Sequence, residues 1–351
     1  GLLSWAAEHS PWYGSLRELA RECAADPENY WDLWRQVPIL EKADLREHGS
    51  RMHASGLPPI QPRVGVSKSS GSTGIPVEVA VGRAHPLQFA LGTLRDHQWQ
   101  NRDFSKKHGF VRHLSRDARG DGFIKQPDWG EPVRSIAASG PAEAAHVGLD
   151  VGRIADWILR FDPYYLLIYP SIMARVLELC DGRGVQPRSL QEVRFISEPL
   201  SEDLRAALES SWGVKTVDIY SCNEVGYLAL ECPLTGDMHV QSEFVYLEVI
   251  DEHGKPCAPG ETGRVVVSTL HNYVMPLVRY AIGDVATVGE ACACGRLHPV
   301  LKRIDGRERN MAVAPDGRVF WPSAINSPRK VDAVVGFQYV HTALDTICLL
   351  Y

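Results

Sequence analysis

Three short stretches carry side chains whose types and spacing could do chemistry. The first is "SSGSTGIP", Ser69 to Pro76. Backbone N–H groups in a Gly/Ser/Thr turn can form an anion-binding concavity, and the hydroxyls add donors for phosphate oxygens. Glycines let the backbone approach closely and take positive φ. The same composition also suits a flexible linker, but the strand-like "IPVEVAVG" that follows argues for a loop inside a folded core. It is not a Walker A loop, because no Gly-Lys-Ser/Thr closes it. The second stretch is "DIYSCNEVGY", with Glu224 just past the end of an apolar run. A lone Glu there could simply cap the next segment. Beside a triphosphate it would instead hold Mg²⁺, a hard cation that takes oxygen ligands. The third is "PLVRYAIGDVA", where Asp284 follows Gly283. Its plain role is turn formation, and its functional one is to accept hydrogen bonds from two ribose hydroxyls.

The elements that must position these groups can be read from periodicity. "YGSLRELARECA" and "NYWDLWRQVPILEKADLREHG" space apolar residues as helices do, with Pro38 splitting the second. Residues 86–100 read as a helix with Pro86 at its start. "HGFVRHL" and "VRSIAAS" read as strands. From residue 150 helices and strands alternate: "VGRIADWILRFD", "YLLIYP", "SIMARVLELCDGRG", "EVRFISE", "SEDLRAALESSWG" and "KTVDIYS". Such alternation implies crossover units and a largely parallel sheet, whose ligands gather beyond the carboxyl ends of the strands. After residue 240, "FVYLEVIDEHGKPCAPGETGRVVVSTL" is a β-hairpin pattern and "MPLVRYAIGDVATVG" adds strand. The expected fold class is therefore α/β: mostly parallel sheets flanked by helices, plus an antiparallel β subdomain.

Composition narrows the field. The chain has 351 residues, 44% hydrophobic and 23% charged, with a formal charge of -6. That balance argues against non-specific nucleic-acid binding, which needs a basic face. No apolar run reaches the length of a membrane span, and the first residues lack the basic start and apolar core of a signal peptide. The absence of an initiator Met suggests a beginning that has been trimmed. Eight cysteines in this length do not make a disulfide scaffold. The expected setting is the reducing cytoplasm, with no nucleic-acid or membrane partner. Cys23, Cys180, Cys222 and Cys348 are scattered and read as small core residues. Cys232, His239, Cys292 and Cys294 are different, lying in the turn-prone "ECPLTGDMH" and "ACACGR". Four soft N/S donors suit a tetrahedral structural Zn²⁺. The competing reading is reduced surface thiols with an exposed His239, and His298 is a substitute ligand.

"SSGSTGIP", "SEP", "YSCNE", "PLVRYAIGD" and "DGRERN", in that order, resemble the signature series of the adenylate-forming superfamily. Within it the likeness is to phenylacetate–CoA ligase and its capsule-synthesis-type relatives, supported by "VPILEKADLRE", "YLLIYPS" and "CACGR" and running from about residue 37 to 325. Some of those relatives carry a similar Cys, His and CxCGR set, which favours zinc. The resemblance implies that Ser69, Ser70, Gly71, Ser72, Thr73 and Gly74 cradle the β- and γ-phosphates of ATP. Glu198 and Pro199 would line the adenine pocket, Tyr220 would stack on the base or close the acyl pocket, and Asp284 and Arg307 would reach the ribose. Glu224 would bind Mg²⁺ and act with Thr73 on the transferring phosphates. Ala137, Ala138, Ser197, Ser221, Cys222 and Asn223 would wall an acyl pocket whose small alanines leave room for a flat ring.

The implied reaction activates a carboxylic acid, aromatic or heteroaromatic, to acyl-AMP with release of pyrophosphate. Transfer would follow most commonly to CoA, with a carrier protein, amine or hydroxyl as alternative acceptors and a homodimer as an open assembly. The implied organisation is an adenylating domain over 1–305, comprising a helical lead-in over 1–60, an α/β core over 61–240 and a β subdomain over 241–305. A hinge and the start of a small C-terminal domain, truncated or partly missing, would follow over 306–351. Three departures stand out: Val77 where many members have Lys, Arg309 where the hinge carries Asp, and Lys330 as the sole lysine beyond the hinge. Nothing in the sequence assigns Lys330 the role of the family's late lysine, which contacts the reacting carboxylate and α-phosphate. Against an enzyme stands a degenerate nucleotide-binding scaffold, which the intact Glu224 and Asp284 oppose. A P-loop kinase fails on the missing lysine and on motif order.

Overall fold

The computed structural model describes residues 1–57, 63–68, 76–114, 120–308, 311–313, 315, 319–320, 338–343 and 346–350. The lead-in comprises α1 (Leu2–His9), α2 (Arg17–Ala25), α3 (Tyr30–Trp34) and α4 (Lys42–His48). Leu3, Ala6, Ala20, Cys23 and Trp34 close one small core among these helices, against Val278. A capping box of Glu41 and Asp44 starts α4. Just before it, Leu40 forms a parallel bridge with Tyr280, its N–H donating to the Arg279 carbonyl at 2.9 Å. This bridge fixes where Lys42 emerges.

Strands β1 (Arg63–Lys68) and β2 (Glu78–Gly82) pair antiparallel, with Lys68 opposite Glu78. The Ser/Gly/Thr run that joins them, Ser69 to Ile75, lies outside the described residues. Helix α5 (Ala84–Trp99) follows, slightly longer than the sequence pattern indicates. Then come β3 (His108–Arg112), β4 (Phe123–Gln126), β5 (Ala142–His146), α6 (Val151–Phe161), β6 (Tyr165–Ile168), α7 (Pro170–Arg183), β7 (Glu192–Phe195), α8 (Glu202–Trp212) and β8 (Lys215–Cys222). The antiparallel part comprises β9 (Gly226–Glu231), β10 (Met238–Val240), β11 (Val245–Ile250), β12 (Thr262–Thr269), β13 (Tyr280–Val288) and β14 (Val300–Arg307).

All twelve strands from β3 to β14 form one mixed sheet in the order β11-β12-β13-β14-β10-β9-β8-β7-β6-β3-β5-β4. Strands β5, β3, β6, β7 and β8 run parallel, as their crossover helices require. The antiparallel strands continue that sheet from β8 rather than forming a separate layer. The α/β expectation holds, with the sheet mixed rather than mostly parallel. Ile154, Trp157, Ile158 and Phe161 of α6 bury one apolar stripe against the parallel strands. A second core, including Val77, Val79, Val81, Tyr220, Leu228, Val265, Leu277 and Tyr280, fills the antiparallel half. Among the described residues no helix is long and apolar enough to cross a membrane.

One expected strand is absent. In "VRSIAAS", Val133–Ser135 is a single 3-10 turn, and the N–H groups of Ile136 and Ala137 both donate to the Val133 carbonyl at 2.9 Å. The Asp128 carboxylate accepts from Gly130 N at 2.7 Å and from Arg134, closing the turn locally. A short apolar alternation loses to that local polar satisfaction.

Helix α5 is tied to the sheet by buried charges. Arg102 donates to Asp96 at 2.7 Å and to Glu192 at 2.6 Å, and Arg194 also binds Asp96. All four side chains are almost wholly buried. Removing Asp96 would leave Arg102 with Glu192 alone and take from Arg194 the carboxylate it is bonded to. Asp96→Ala is therefore expected to cost about 3–5 kcal/mol, read from the urea midpoint at constant m-value. A loss below about 1 kcal/mol would refute this account.

Candidate active site

Four segments far apart in the chain converge on one cleft. It is lined by Ser197, Glu198 and Pro199 after β7, by Asp218 to Ser221 at the end of β8, by Asp284 of β13, and by Ile304, Gly306 and Arg307 of β14. Its enclosed space is about 60 Å³. The parallel strands deliver the first two groups at their carboxyl ends, where ligands of such sheets bind. Ser197 takes φ of 68°, a left-handed conformation uncommon for a non-glycine residue. The next residue, Glu198, accepts from Ser171 N at 2.8 Å and Ser171 Oγ at 2.9 Å. That carboxylate thus meets the N-terminus of α7, where the helix dipole favours negative charge.

Asp284 and Arg307 are cross-strand partners, and Arg307 Nε lies 3.1 Å from Asp284 Oδ1. Tyr220 donates its hydroxyl to Asp284 Oδ2 at 2.9 Å. Burial raises the Asp284 pKa against the opposing pull of Arg307 and Tyr220. Tyr220 is held well above the ordinary phenol range by burial and by the Asp284 charge. Glu224 is buried in the turn between β8 and β9, and its charge raises the pKa of the buried Tyr280 phenol. Asn223 donates to the Lys68 carbonyl at 2.9 Å and accepts from Ser67 Oγ at 2.6 Å through its own carbonyl. The turn bearing Glu224 is thereby fastened to β1, the strand that leads into the Ser/Gly/Thr run.

Lys42 has no role in the sequence reading, although "VPILEKADLRE" contains it. Its ammonium lies 3.8 Å from the position a Cβ on Gly283 would occupy. Burial and Arg307 lower its pKa, while Glu224 and Asp284 pull it back up. The Leu40–Tyr280 bridge and the Arg264–Glu41 ion pair hold the segment there, tertiary contacts that local pattern does not encode. Val77, where the resemblance expects Lys, is buried in the antiparallel core and supplies no cation. Thr73 and its neighbours, Arg309 and Lys330 lie outside the described residues.

A larger cavity of about 340 Å³ adjoins the cleft. Ile219 borders both, and Ile196 of the cavity directly precedes Ser197 of the cleft. The segment from Trp129 to Arg134 forms part of its wall. Ser197 and Ser221 line the cleft, whereas Ala137, Ala138, Cys222 and Asn223 line neither space. The expected alanine wall rested on the family resemblance; the 3-10 turn at Val133–Ser135 brings Val133 and Arg134 to the cavity instead.

Elsewhere, Cys232, His239, Cys292 and Cys294 place their donor atoms within 4.8 Å of one another. Cys232 and His239 are buried and Cys292 nearly so, which contradicts surface thiols beside an exposed histidine. The Cys292 and Cys232 sulfurs are 3.7 Å apart, and Cys294 Sγ lies 3.2 Å from His239 Nε2. Ligands on a tetrahedron with 2.3 Å Zn–S bonds stand about 3.8 Å apart. His298 instead lies 3.0 Å from the Val240 carbonyl through Nδ1.

No family profile matches the chain. The phenylacetate–coenzyme A ligase of Thermus thermophilus is 28% identical over 354 aligned positions, covering 95% of this chain and 72% of the relative. The enzymes of that name from Escherichia coli and Pseudomonas putida are each 25% identical, over 96% and 91% of this chain and 75% and 72% of their own. The chain is thus similar to these ligases over nearly its whole length, and it is phenylacetate–CoA ligase-like and adenylate-forming. Its fold is that of 2-hydroxyisobutyryl-CoA ligase in the postadenylation state, at TM-score 0.73 and 21% identity over 99% of this chain and 74% of that one. The anthranilate CoA ligase bound to anthranoyl-AMP shares the fold at TM-score 0.52 and 20% identity, over 72% and 49% of the two chains.

Asp218, also on the cleft wall of this adenylate-forming ligase, has its pKa raised to about 7 by burial and by neighbouring Glu231. The folded protein therefore holds this proton more tightly than the unfolded chain does. The stability it contributes is complete below about pH 4 and is lost as pH rises through 7. Asp218→Asn carries no such charge and should gain stability over the parent by about 3–4 kcal/mol on going from pH 4 to pH 8. Thermal unfolding at both pH values checks this; equal differences at the two would refute it.

Proposed function

We propose that the protein activates an aromatic or heteroaromatic carboxylic acid to acyl-AMP and passes the acyl group to coenzyme A. One observation carries the reading: Glu198–Pro199, Tyr220, Asp284 and Arg307 line one cleft, beside a cavity large enough for an acyl group. A carboxylate oxygen attacks the α-phosphorus of ATP, the α–β anhydride bond breaks, and pyrophosphate leaves. A CoA thiolate then attacks the acyl carbonyl and releases AMP. Such displacement requires positioning and charge neutralisation more than acid–base chemistry. The residues fit that demand: donors in Ser69–Gly74, a buried carboxylate at Glu224, and cations at Lys42 and Arg307. Asp284 and Arg307 would hold the ribose and Glu198–Pro199 the adenine side.

The buried carboxylate of Glu224, close enough to Asp284 for the two charges to interact, fits Mg²⁺, a hard ion preferring charged oxygen ligands. Glu224 would hold the metal, which supplies charge neutralisation on the phosphates when bound. The relatives named for CoA ligation and the solved ligases with acyl-adenylates support the acceptor and the intermediate. A non-catalytic scaffold is the rival reading, and it does not explain an ordered set of buried charges at the cleft. The division into an adenylating domain over 1–305 and a hinge with the start of a small domain over 306–351 belongs to the same proposal.

Carboxylate-dependent ATP–pyrophosphate exchange tests it. Exchange is expected with at least one aromatic acid, and Glu224→Gln should reduce it about 100-fold or more while leaving the circular dichroism spectrum unchanged. ATP binding with no exchange on any acid would favour the scaffold, and unchanged exchange in the variant would remove Glu224 from the reaction.

The Cys232, His239, Cys292 and Cys294 cluster would hold a structural Zn²⁺, joining the β9–β10 turn to the loop before β14. All four positions of a tetrahedron are supplied by the protein, as a structural rather than catalytic site requires. Metal analysis should find one zinc per chain, and a chelator should lower the melting temperature. Zinc well below one per chain would sink this assignment.

A further inference from the structure

The cavity beside the nucleotide cleft is polar at one end in a way that a simple aryl acid does not use. Its geometry follows from strand register. Phe110 of β3 pairs with Leu167 of β6, and Leu167 with Arg194 of β7, so the three stand in one row across the sheet. Two residues beyond this row are Arg112 on β3 and Ile196 just past the end of β7, with Ile219 of the neighbouring β8 next to Ile196 in the continued register. All six line the cavity. Strands β8 and β3 are three spacings apart in the sheet, about 14 Å at roughly 4.8 Å each. The cavity therefore runs sideways, from the apolar Ile196 and Ile219 at the cleft, over Leu167 and Phe110, to Arg112.

The charges along this path divide into committed and uncommitted. Arg194 is bound to Asp96, and Arg134 is held by both oxygens of Asp128, at 2.7 Å to Oδ1 and 2.9 Å to Oδ2. Glu131 is the only carboxylate on the wall, and it accepts from Ser135 Oγ at 2.5 Å. Arg112 has no carboxylate partner among the described residues. It is exposed, and its guanidinium lies over the Phe110 ring at 5.1 Å. Two buried polar atoms on the wall, Arg194 Nε and His108 Nδ1, also have no hydrogen-bond partner among the described residues. A desolvated donor left unpaired is costly, and a ligand oxygen would satisfy it. The cavity thus offers, among the described residues, a free cation on β3 and unpaired nitrogens on Arg194 and His108, while Ile196 and Ile219 make its end at the cleft apolar.

We propose that the acid activated here is an aromatic one carrying a second anionic oxygen group on its ring, whose charge is met by Arg112. The inference rests on the adenylation reading above and names its substrate class. The carboxylate to be activated sits at the cleft, the ring lies between Ile196, Ile219 and Phe110, and the second group reaches β3. A guanidinium suits this because its planar fork binds a carboxylate through two parallel hydrogen bonds.

The test is ATP–pyrophosphate exchange with benzoate, phenylacetate, 4-hydroxyphenylacetate and 4-carboxyphenylacetate, on the parent and Arg112→Gln. Calorimetric binding of each acid in the presence of AMP accompanies it, so that slow turnover does not hide recognition. The carboxylated acid is expected to exceed phenylacetate by about tenfold or more in kcat/KM and in affinity. Arg112→Gln should remove that preference and leave phenylacetate and benzoate unchanged. A preference for the hydroxylated acid that survives Arg112→Gln overturns the proposal and assigns recognition to the neutral donors. Equal or better use of phenylacetate overturns it while keeping adenylation. Neither exchange nor binding with any acid overturns both.

Discussion

The contact on which the site depends is the hydrogen bond from Tyr220 to Asp284. Strands β8 and β13 are separated in the sheet by β9, β10 and β14. On a flat sheet four spacings would hold these residues about 19 Å apart. Hydroxyl and carboxylate instead meet at 2.9 Å. The antiparallel half must therefore curl back over the ends of the parallel strands. Its devices are visible in the register: pairing shifts between Tyr220 and Ser221, between Arg264 and Val266, between Val285 and Ala286, and between Thr287 and Val288. Such bulges bend strands and increase twist. The three-residue β10 leaves little straight ladder to resist the bend. Tyr280, Leu228, Val265 and their neighbours fill the inside of the curl, so hydrophobic burial holds the curvature that Tyr220 and Asp284 report.

This constraint explains which parts of the molecule were legible in the sequence. Helices α6, α7 and α8 and strands β6, β7 and β8 follow from local period alone, because each buries one stripe or one whole strand. That Glu198, Pro199, Tyr220, Asp284 and Arg307 share one cleft was also legible, since motif order in the chain groups them. Lys42 was not, because contacts distant in sequence, the Leu40–Tyr280 bridge among them, deliver it to Gly283. The stretch 133–139 was misread because the apolar positions in "VRSIAAS" suit a strand as well as a turn. Asp128 decided between them through bonds to Gly130 and Arg134. Arg112 and Arg194 were passed over for a related reason. A charged residue inside a strand reads as solvent-facing until the neighbouring strand and helix are in place.

The Cys/His cluster belongs to the same geometry. Cys232 ends the strand pair β9–β10, His239 lies within β10, and Cys292 and Cys294 precede β14. Strand β10 contributes just two pairings to β14 and is the weakest link between the halves of the sheet. Four side chains converging there reinforce the curl at the point where backbone pairing is thinnest. The distance from cluster to cleft is spanned by β14 itself, which carries Arg307 at its far end. Order at the cluster thereby becomes order at the Asp284–Arg307 pair.

Charge at the cleft is balanced before any ligand arrives. Asp284 and Glu224 face Arg307 and Lys42, two against two, and each pair is at least partly withdrawn from water. Burial raises the pKa of Asp284 and lowers that of Lys42, so each group is less comfortably charged than it would be in solvent. On the proposed reading, a triphosphate with its metal would change both balances at once. The metal would add positive charge beside the carboxylates, and the phosphates negative charge beside Lys42 and Arg307. Binding would then relieve the desolvation strain on both sets, the electrostatic form of preorganisation that a displacement at phosphorus requires. The same reading bears on Val77: with Lys42 of α4 supplying a cation, the position after Pro76 would be free to be apolar, and Val77 lies in the core.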